Sequence, residues 1–171
     1  MKTLWAPWRM EYILGEDKPP GCIFCPWPDE DLAQRLVLFS GQLSRIMMNK
    51  YPYINGHLLV SPLRHVPYLE DLTPAELLDL QLKLRHCMRI LREVMRPDGF
   101  NIGLNVGTVA GAGVESHLHW HIVPRWHGDT NYIPVFAEVR VIPEHFRQTY
   151  ERLAPHFRAL PDEDPLCAMS K

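Results

Sequence analysis

The chain has no excess of basic residues, no long hydrophobic run and none of the common phosphate-loop signatures. Its 18 lysines and arginines stand against 20 acidic residues, a formal net charge of −2. No overall basic field therefore draws it to nucleic acid or to an anionic membrane. No apolar stretch approaches the ~20 residues of a membrane span, and the N-terminus has no signal-peptide core. The expected setting is the cytoplasm. Neither the Walker pattern G-x-x-x-x-G-K-S/T nor the Rossmann pattern G-x-G-x-x-G occurs, which excludes an ordinary kinase or dehydrogenase. Cysteine is scarce, with four in all: Cys22, Cys25, Cys87 and Cys167. Cys22 and Cys25 form a C-x-x-C, which in a reducing compartment points to metal or redox use rather than a disulfide framework. No βαβ pattern surrounds the pair, which argues against a thioredoxin-type role. Cys87 and Cys167 are given none. Internal repeats and long linkers are also absent, and 171 residues fit one domain able to bury a sizeable core.

What is present is concentrated in His117-Leu118-His119-Trp120-His121-Ile122-Val123, where histidine and large apolar residues alternate up to Pro124. Period two is the strand signature, because successive side chains point to opposite faces. Three imidazoles then stand on one face, while Leu118, Trp120 and Ile122 enter a core. One histidine here would be read as a satisfied structural residue. Three in register beside a glycine-rich loop mark a site, since a core strand gains nothing from three polar rings that each need partners.

The 16 prolines favour many short elements over a helical bundle. An aromatic arm occupies residues 1–20 and ends at Pro19-Pro20-Gly21. It is read as packing on the domain or on a neighbouring subunit, with a platform for a nucleobase as the sharper alternative. Leu36–Phe39, Arg45–Asn49, His57–Ser61 and Phe100–Val106 read as strands, the first three as close antiparallel neighbours. Thr73-Pro74-Ala75-Glu76 is a helix start with a capping box and a first-turn proline. Leu77, Leu80, Leu84, Met88, Leu91 and Met95 then form an apolar stripe, with Lys83, Arg85, Arg89 and Arg92 read as a solvated face. Pro97-Asp98-Gly99 ends the helix. The loop from Gly107 to Gly113 is expected to turn a hairpin into the histidine strand. A last helix is expected within Glu144 to Arg158, interrupted near Pro155, and residues from Pro161 onward read as a loose tail.

Two kinds of chemistry suit the histidine row. The three rings could hold a metal, since H-x-H on a strand is a workable chelate. The middle ring could instead attack a phosphate, its neighbours serving as polar partners. The glycine loop favours the second, because glycine lets backbone N–H groups approach an anion closely.

HLHWHIV resembles the signature of the histidine-triad (HIT) superfamily of nucleotide hydrolases and transferases. Asn49, the segment Gly56-His57-Leu58-Leu59-Val60-Ser61-Pro62, the capped helix and Asn105 follow that family's order and approximate spacing. LWAPWRMEYI, CIFC, NIGLN and PRWHGDTN resemble its bacterial branch of diadenosine tetraphosphate phosphorylase-like proteins. The resemblance covers about residues 1–155. It implies an α+β fold: an antiparallel sheet of about five strands, one long helix and a smaller C-terminal helix. It divides the chain into an arm (1–20), a HIT domain (21–135) and a C-terminal extension (136–171), paired as a homodimer.

Carried onto this sequence, it makes His119 the nucleophile, forming a nucleotidyl-histidine intermediate released to phosphate, water or another acceptor. His57 and His121 would hydrogen-bond the phosphate, Asn105 would contact the transferred group and Asn49 the ribose. Ala112, Gly113, Val114 and Glu115 would offer backbone N–H groups, and Ile23, Phe24 and Met47 would wall the base. Cys22, Cys25, His65 and His117 would hold a structural zinc, as in zinc-containing relatives. Many hydrolases of the superfamily carry Gln four residues before the first triad histidine. Gly113 stands there instead, which is compatible with phosphate as the acceptor. The substrate implied is a dinucleoside polyphosphate or related nucleotide conjugate, with no organic cofactor. The leading reaction is phosphorolysis of diadenosine tetraphosphate to ATP and ADP, and the alternative is hydrolysis of a dinucleoside polyphosphate or nucleoside phosphoramidate. A metalloenzyme using all three histidines and a nucleotide-binding regulator without turnover are the readings from other classes.

Overall fold

A computed structural model describes residues 21–52, 54–129 and 144–162. The arm, Thr130-Asn131 and the tail beyond Asp162 lie outside the described residues. Strands β1 (Val37–Ser40), β2 (Ser44–Met48) and β3 (Leu58–Pro62) are followed by helix α1 (Pro74–Met95). Strands β4 (Gly99–Leu104) and β5 (Trp120–Arg125) and helix α2 (Phe146–Arg158) complete the order. The five strands form one antiparallel sheet in the order β1-β2-β3-β5-β4. This is the α+β architecture expected from the sequence.

Register and alternation sort the residues between two faces. Val37 pairs with Met47, Met47 with Leu59, Leu59 with His121 and His121 with Gly103, one row across the sheet. Side chains two positions away in each strand share that face. Arg45, Asn49, His57, Ser61, His119 and Asn101 therefore join it. The opposite face carries Leu38, Ile46, Met48, Leu58, Val60, Trp120 and Ile122 into the main core. Leu80, Leu84, Cys87 and Leu91 of α1 cover that core, with Leu153 and Phe157 of α2. Leaving the middle of it empty, as in Leu80→Ala, costs about 2–5 kcal/mol at such a site.

The start of α1 is as expected. Thr73 caps with its side chain on the Glu76 amide, and Glu76 returns to the Thr73 amide. Its end differs. Arg96, not a glycine, takes the left-handed position at φ 51, and Gly99 begins β4. Lys83 is also not on a solvated face. It is fully buried, its Nζ donating to the Pro161 carbonyl at 3.0 Å, 3.6 Å from Asp79 and 4.4 Å from the centre of the Phe39 ring. Pro161 is thus held rather than loose, because the chain after α2 closes over the lysine. Helix α2 runs through Pro155 without interruption. The proline sits on the exposed side, so only one helical bond is forfeited while Tyr150, Leu153 and Phe157 stay packed. The Tyr150 hydroxyl donates to the Val37 carbonyl at 3.0 Å, tying α2 to β1.

The histidine run is only half strand. β5 begins at Trp120, and His117 to His119 precede it outside the ladder, with the Leu118 amide bonded to the Val66 carbonyl at 2.7 Å. The alternation still holds, since Leu118, Trp120 and Ile122 are all buried in the main core. No described helix is long and apolar enough to cross a membrane.

Candidate functional site

The face away from the helices carries a small apolar cluster, Phe24, Val37, Met47 and Leu59, with Cys22, Ile23 and Val114 packed against it. The histidines stand beside it in two groups.

The first group is a hydrogen-bonded relay. The Tyr51 amide donates to Asn49 Oδ1 at 2.9 Å, which turns Asn49 Nδ2 toward His57 Nδ1 at 3.2 Å. An amide N–H can only donate, so His57 Nδ1 accepts and its proton lies on Nε2. That nitrogen is 2.9 Å from His121 Nδ1, which must accept in turn, leaving His121 with its proton on Nε2. Burial, helped by the nearby His119, lowers the His121 pKa to about 4. The relay thus ends in a neutral imidazole whose Nε2–H can donate to an anionic oxygen.

His119 lies next to it, the two rings 5.0 Å apart. Its Nδ1 is 2.8 Å from the His117 carbonyl, which can only accept. The proton is therefore on Nδ1, and Nε2 carries the lone pair. Burial lowers this pKa too, and the bond to the His117 carbonyl partly opposes the shift. Phe24 stacks on the ring at 4.5 Å and 27°. A neutral, oriented imidazole with a basic Nε2 is what a histidine nucleophile requires.

The second group is Cys22, Cys25, His65 and His117. Their ligand atoms all lie within 4.8 Å of one another. His117 Nδ1 is 3.2 Å from Cys22 Sγ and 3.6 Å from Cys25 Sγ, and His65 Nδ1 is 3.4 Å from Cys25 Sγ. Sulfur and nitrogen at about 2.3 and 2.0–2.1 Å from one zinc would sit about 3.6 Å apart in a tetrahedron. The set fits. His117 Nε2 is 2.9 Å from the Pro62 carbonyl, which keeps its proton there and frees Nδ1 for a metal. Desolvation, then the neighbouring Cys22, raises the Cys25 thiol to about 11 in the metal-free chain; a bound cation would reverse that.

The loop before β5 is less uniform than expected. Gly107 and Gly111 have φ of 81° and 88° around a short 3-10 turn, Thr108–Ala110, so both need glycine's freedom. The Ala112 amide is not offered outward. It bonds the Gly107 carbonyl at 3.3 Å, since the turn closes on itself. The amides of Gly113, Val114 and Glu115 have no hydrogen-bond partner among the described residues. The β4–β5 register, carried one step further, sets Asn105 across from His119. There its Nδ2 spans the loop to the Gly111 carbonyl at 3.3 Å.

The three triad rings therefore do not form one chelate. Among the described residues the only group placed to hold a metal is the cysteine–histidine set. Nothing in the sequence reading singled out Asn55, whose Oδ1 lies 2.8 Å from the buried Thr149 hydroxyl of α2. That contact ties the turn carrying His57 to the C-terminal helix. Arg45, fully buried on the site face, was also missed. A charged residue inside an otherwise apolar strand was the available signal.

Residues 32–128 match the family described as HIT domain. Over 169 residues the chain is 38% identical to a Mycobacterium tuberculosis protein named AP-4-A phosphorylase, covering 94% of this chain and 87% of that one. It is 41% identical over 93 residues to a Schizosaccharomyces pombe protein named asymmetrical bis(5'-nucleosyl)-tetraphosphatase, covering 54% and 50%. The crystal structure of a zinc-bound histidine triad family protein from Mycobacterium smegmatis shares the fold. Its TM-score is 0.59 at 22% identity, over 87% of this chain and 91% of that one.

Proposed function

The chain belongs to the HIT family of nucleotide-processing enzymes, and on that premise we propose that it cleaves diadenosine tetraphosphate by phosphorolysis through His119. The observation that carries the reading is the bond from His119 Nδ1–H to the His117 carbonyl, which reserves Nε2 as the nucleophile. In the first step the Nε2 lone pair forms a bond to the α-phosphorus, and the P–O bond to the departing ATP breaks. In the second an oxygen of inorganic phosphate attacks the same phosphorus, the N–P bond breaks, and ADP leaves with the ring neutral again. His121, fed by His57 and Asn49, donates to oxygens whose charge grows in the transition state. Gly113, Val114 and Glu115 add backbone amides, Asn105 meets the transferred phosphate, and Asn49 reaches the ribose. Ile23, Phe24 and Met47, gathered beside His119, wall the base.

Cys22, Cys25, His65 and His117 hold a structural zinc in this reading. With all four positions filled by the protein, the metal supplies a cross-link between the N-terminal knuckle and the approach to β5, and no bond-making. A reducing compartment, the cytoplasm, keeps the thiols available as ligands. A homodimer completes the assignment, since among the described residues β4 is a sheet edge with Asn101, Ile102 and Gly103 exposed. Light scattering at twice the chain mass tests that part.

The reaction is tested by incubating the protein with diadenosine tetraphosphate, with and without inorganic phosphate, and separating the products. ATP and ADP formed only with phosphate support phosphorolysis. ATP with AMP in its absence supports hydrolysis, the second reading, which the likeness to the tetraphosphatase favours.

A further inference from the structure

The segment carrying Cys22, Phe24 and Cys25 has no regular structure, yet its middle residue must lie flat on His119. Its carbonyls show how it is held. Arg35 Nη2 donates to the Ile23 carbonyl at 2.6 Å, and both terminal nitrogens of Arg35 reach the Cys25 carbonyl at 3.2 Å. Arg45 Nη1 donates to the Phe24 carbonyl between them at 3.4 Å. Glu30 binds both guanidiniums, one with each carboxylate oxygen. Arg35 also lies 3.9 Å over the Trp27 ring, whose Nε1–H donates to the Cys22 carbonyl at 3.1 Å. Every carbonyl from Cys22 to Cys25 is therefore held by one of three side chains outside the candidate metal set.

We propose that Glu30, Arg35 and Arg45 are positioning residues that press the Phe24 ring against His119 whether or not a metal occupies the neighbouring cysteines. Two features support this beyond simple scaffolding. Arg45 is fully buried on the site face of β2, two residues from Met47, a place where an apolar residue would pack more cheaply. The Arg35 fork also matches a pair of carbonyls, those of Ile23 and Cys25, while the Arg45 fork divides between the Phe24 carbonyl and Glu30, a geometry that lysine cannot reproduce. The metal set and the clamp thus hold one knuckle through different groups. The metal would fix its cysteine side chains and the arginines fix its backbone. The effect on chemistry rests on the reading of His119 as nucleophile; the stacking does not.

The full chain is examined by proton NMR before and after chelation, following the ring-current displacement of the carbon-bound protons of His119. In the wild type the displacement survives chelation. In Arg35→Met it persists in protein loaded with zinc and drops by at least half once the zinc is removed. In the loaded variant kcat stays near the wild-type value; once the zinc is removed it falls about tenfold with KM little changed, as expected for a misaligned reacting group. Loss of the displacement on chelating the wild type would overturn the proposal, as would full retention in chelated Arg35→Met. Should that variant fail to fold, Glu30→Gln, which keeps the shape and removes the charge shared by both arginines, is read in the same way. An intact displacement in a wild type that turns over no dinucleoside polyphosphate would sink the functional reading and leave the clamp standing.

Discussion

His117 and His121 belong to one alternating run, lie on one face and are both neutral imidazoles, yet they serve opposite surroundings. His117 gives its Nε2 proton to the Pro62 carbonyl and turns Nδ1 to two thiols. His121 accepts at Nδ1 from His57 and keeps its proton on Nε2. The first is a lone pair aimed at a cation, the second an N–H suited to an anion. His119 stands between them and takes its own tautomer from the main chain of His117. The difference lies in which nitrogen the neighbouring carbonyl or ring engages, not in the residue type. In the proposed reading, one face of this run therefore carries a metal ligand, a nucleophile and a hydrogen-bond donor to phosphate at alternate positions.

Breaking the middle position has the largest effect. His119→Ala should lower turnover by at least about a thousandfold, because no other group supplies the covalent step. Metal content and the folded near-UV spectrum should stay as in the wild type. A nucleotidyl-protein adduct still trapped in that variant would refute the assignment. Breaking the thiol side gives the complementary pattern. Cys22→Ser should take bound zinc from about one per chain to nearly none; with affinity a thousandfold weaker at saturating metal, stability falls by about 4 kcal/mol. Metal analysis and denaturant titration read both quantities. Breaking the relay should spare both. His57→Gln interrupts the path from Asn49 to His121 and should lower turnover about a hundredfold, the usual loss for one donor to a developing charge. Full zinc content in that variant, against the loss in Cys22→Ser, is the contrast that separates the two groups. Equal metal loss in both variants would dissolve it.

How much of this was legible in the chain depends on how far apart the determining residues lie. Period two in residues 117–123 gave the correct faces, and Thr73 with Glu76 gave the helix start, because both signals are local. Asn49, His57, His65 and the C-x-x-C could be joined to the triad only through family likeness; no spacing rule links Cys22 to His117 across 95 residues. Lys83 was misjudged because its position on α1 says nothing about Pro161, which closes over it 78 residues later. The strand beginning at Trp120 rather than His117 has the same origin. Leu118 bonds Val66, a partner fixed by the β3–α1 connection. Ala112 shows the limit in loops, where the turn consumed an amide that the family resemblance had offered to phosphate.

The smallest effect comes from pH and bears chiefly on the end of the relay. The His121 pKa is lowered to about 4, against 6.5 for the exposed ring, because charging a buried imidazole beside His119 is unfavourable. The unfolded chain therefore binds a proton that the folded chain refuses. Its stability contribution is complete above pH 6.5 and declines as pH falls toward 4, where the folded ring protonates as well. At about 1.4 kcal/mol per pKa unit the shift sets an upper bound of about 3 kcal/mol, and the partial exposure of the ring brings the loss to about 2 kcal/mol across that window. Glu76 acts in a lower range for the opposite reason. Its hydrogen bonds to Arg64, then to Thr73, hold the carboxyl near 2 against 4.5, so its contribution is present above 4.5 and fades below it. Urea titrations at a series of pH values should show two separate slopes in the wild type. His121→Asn should reduce the upper one, the remainder coming from His119 and His117, whose pKa values burial also lowers, and leave the lower one unchanged. An upper slope unchanged by this substitution would mean that other groups alone exclude the proton, and that His121 is not the neutral end of the relay.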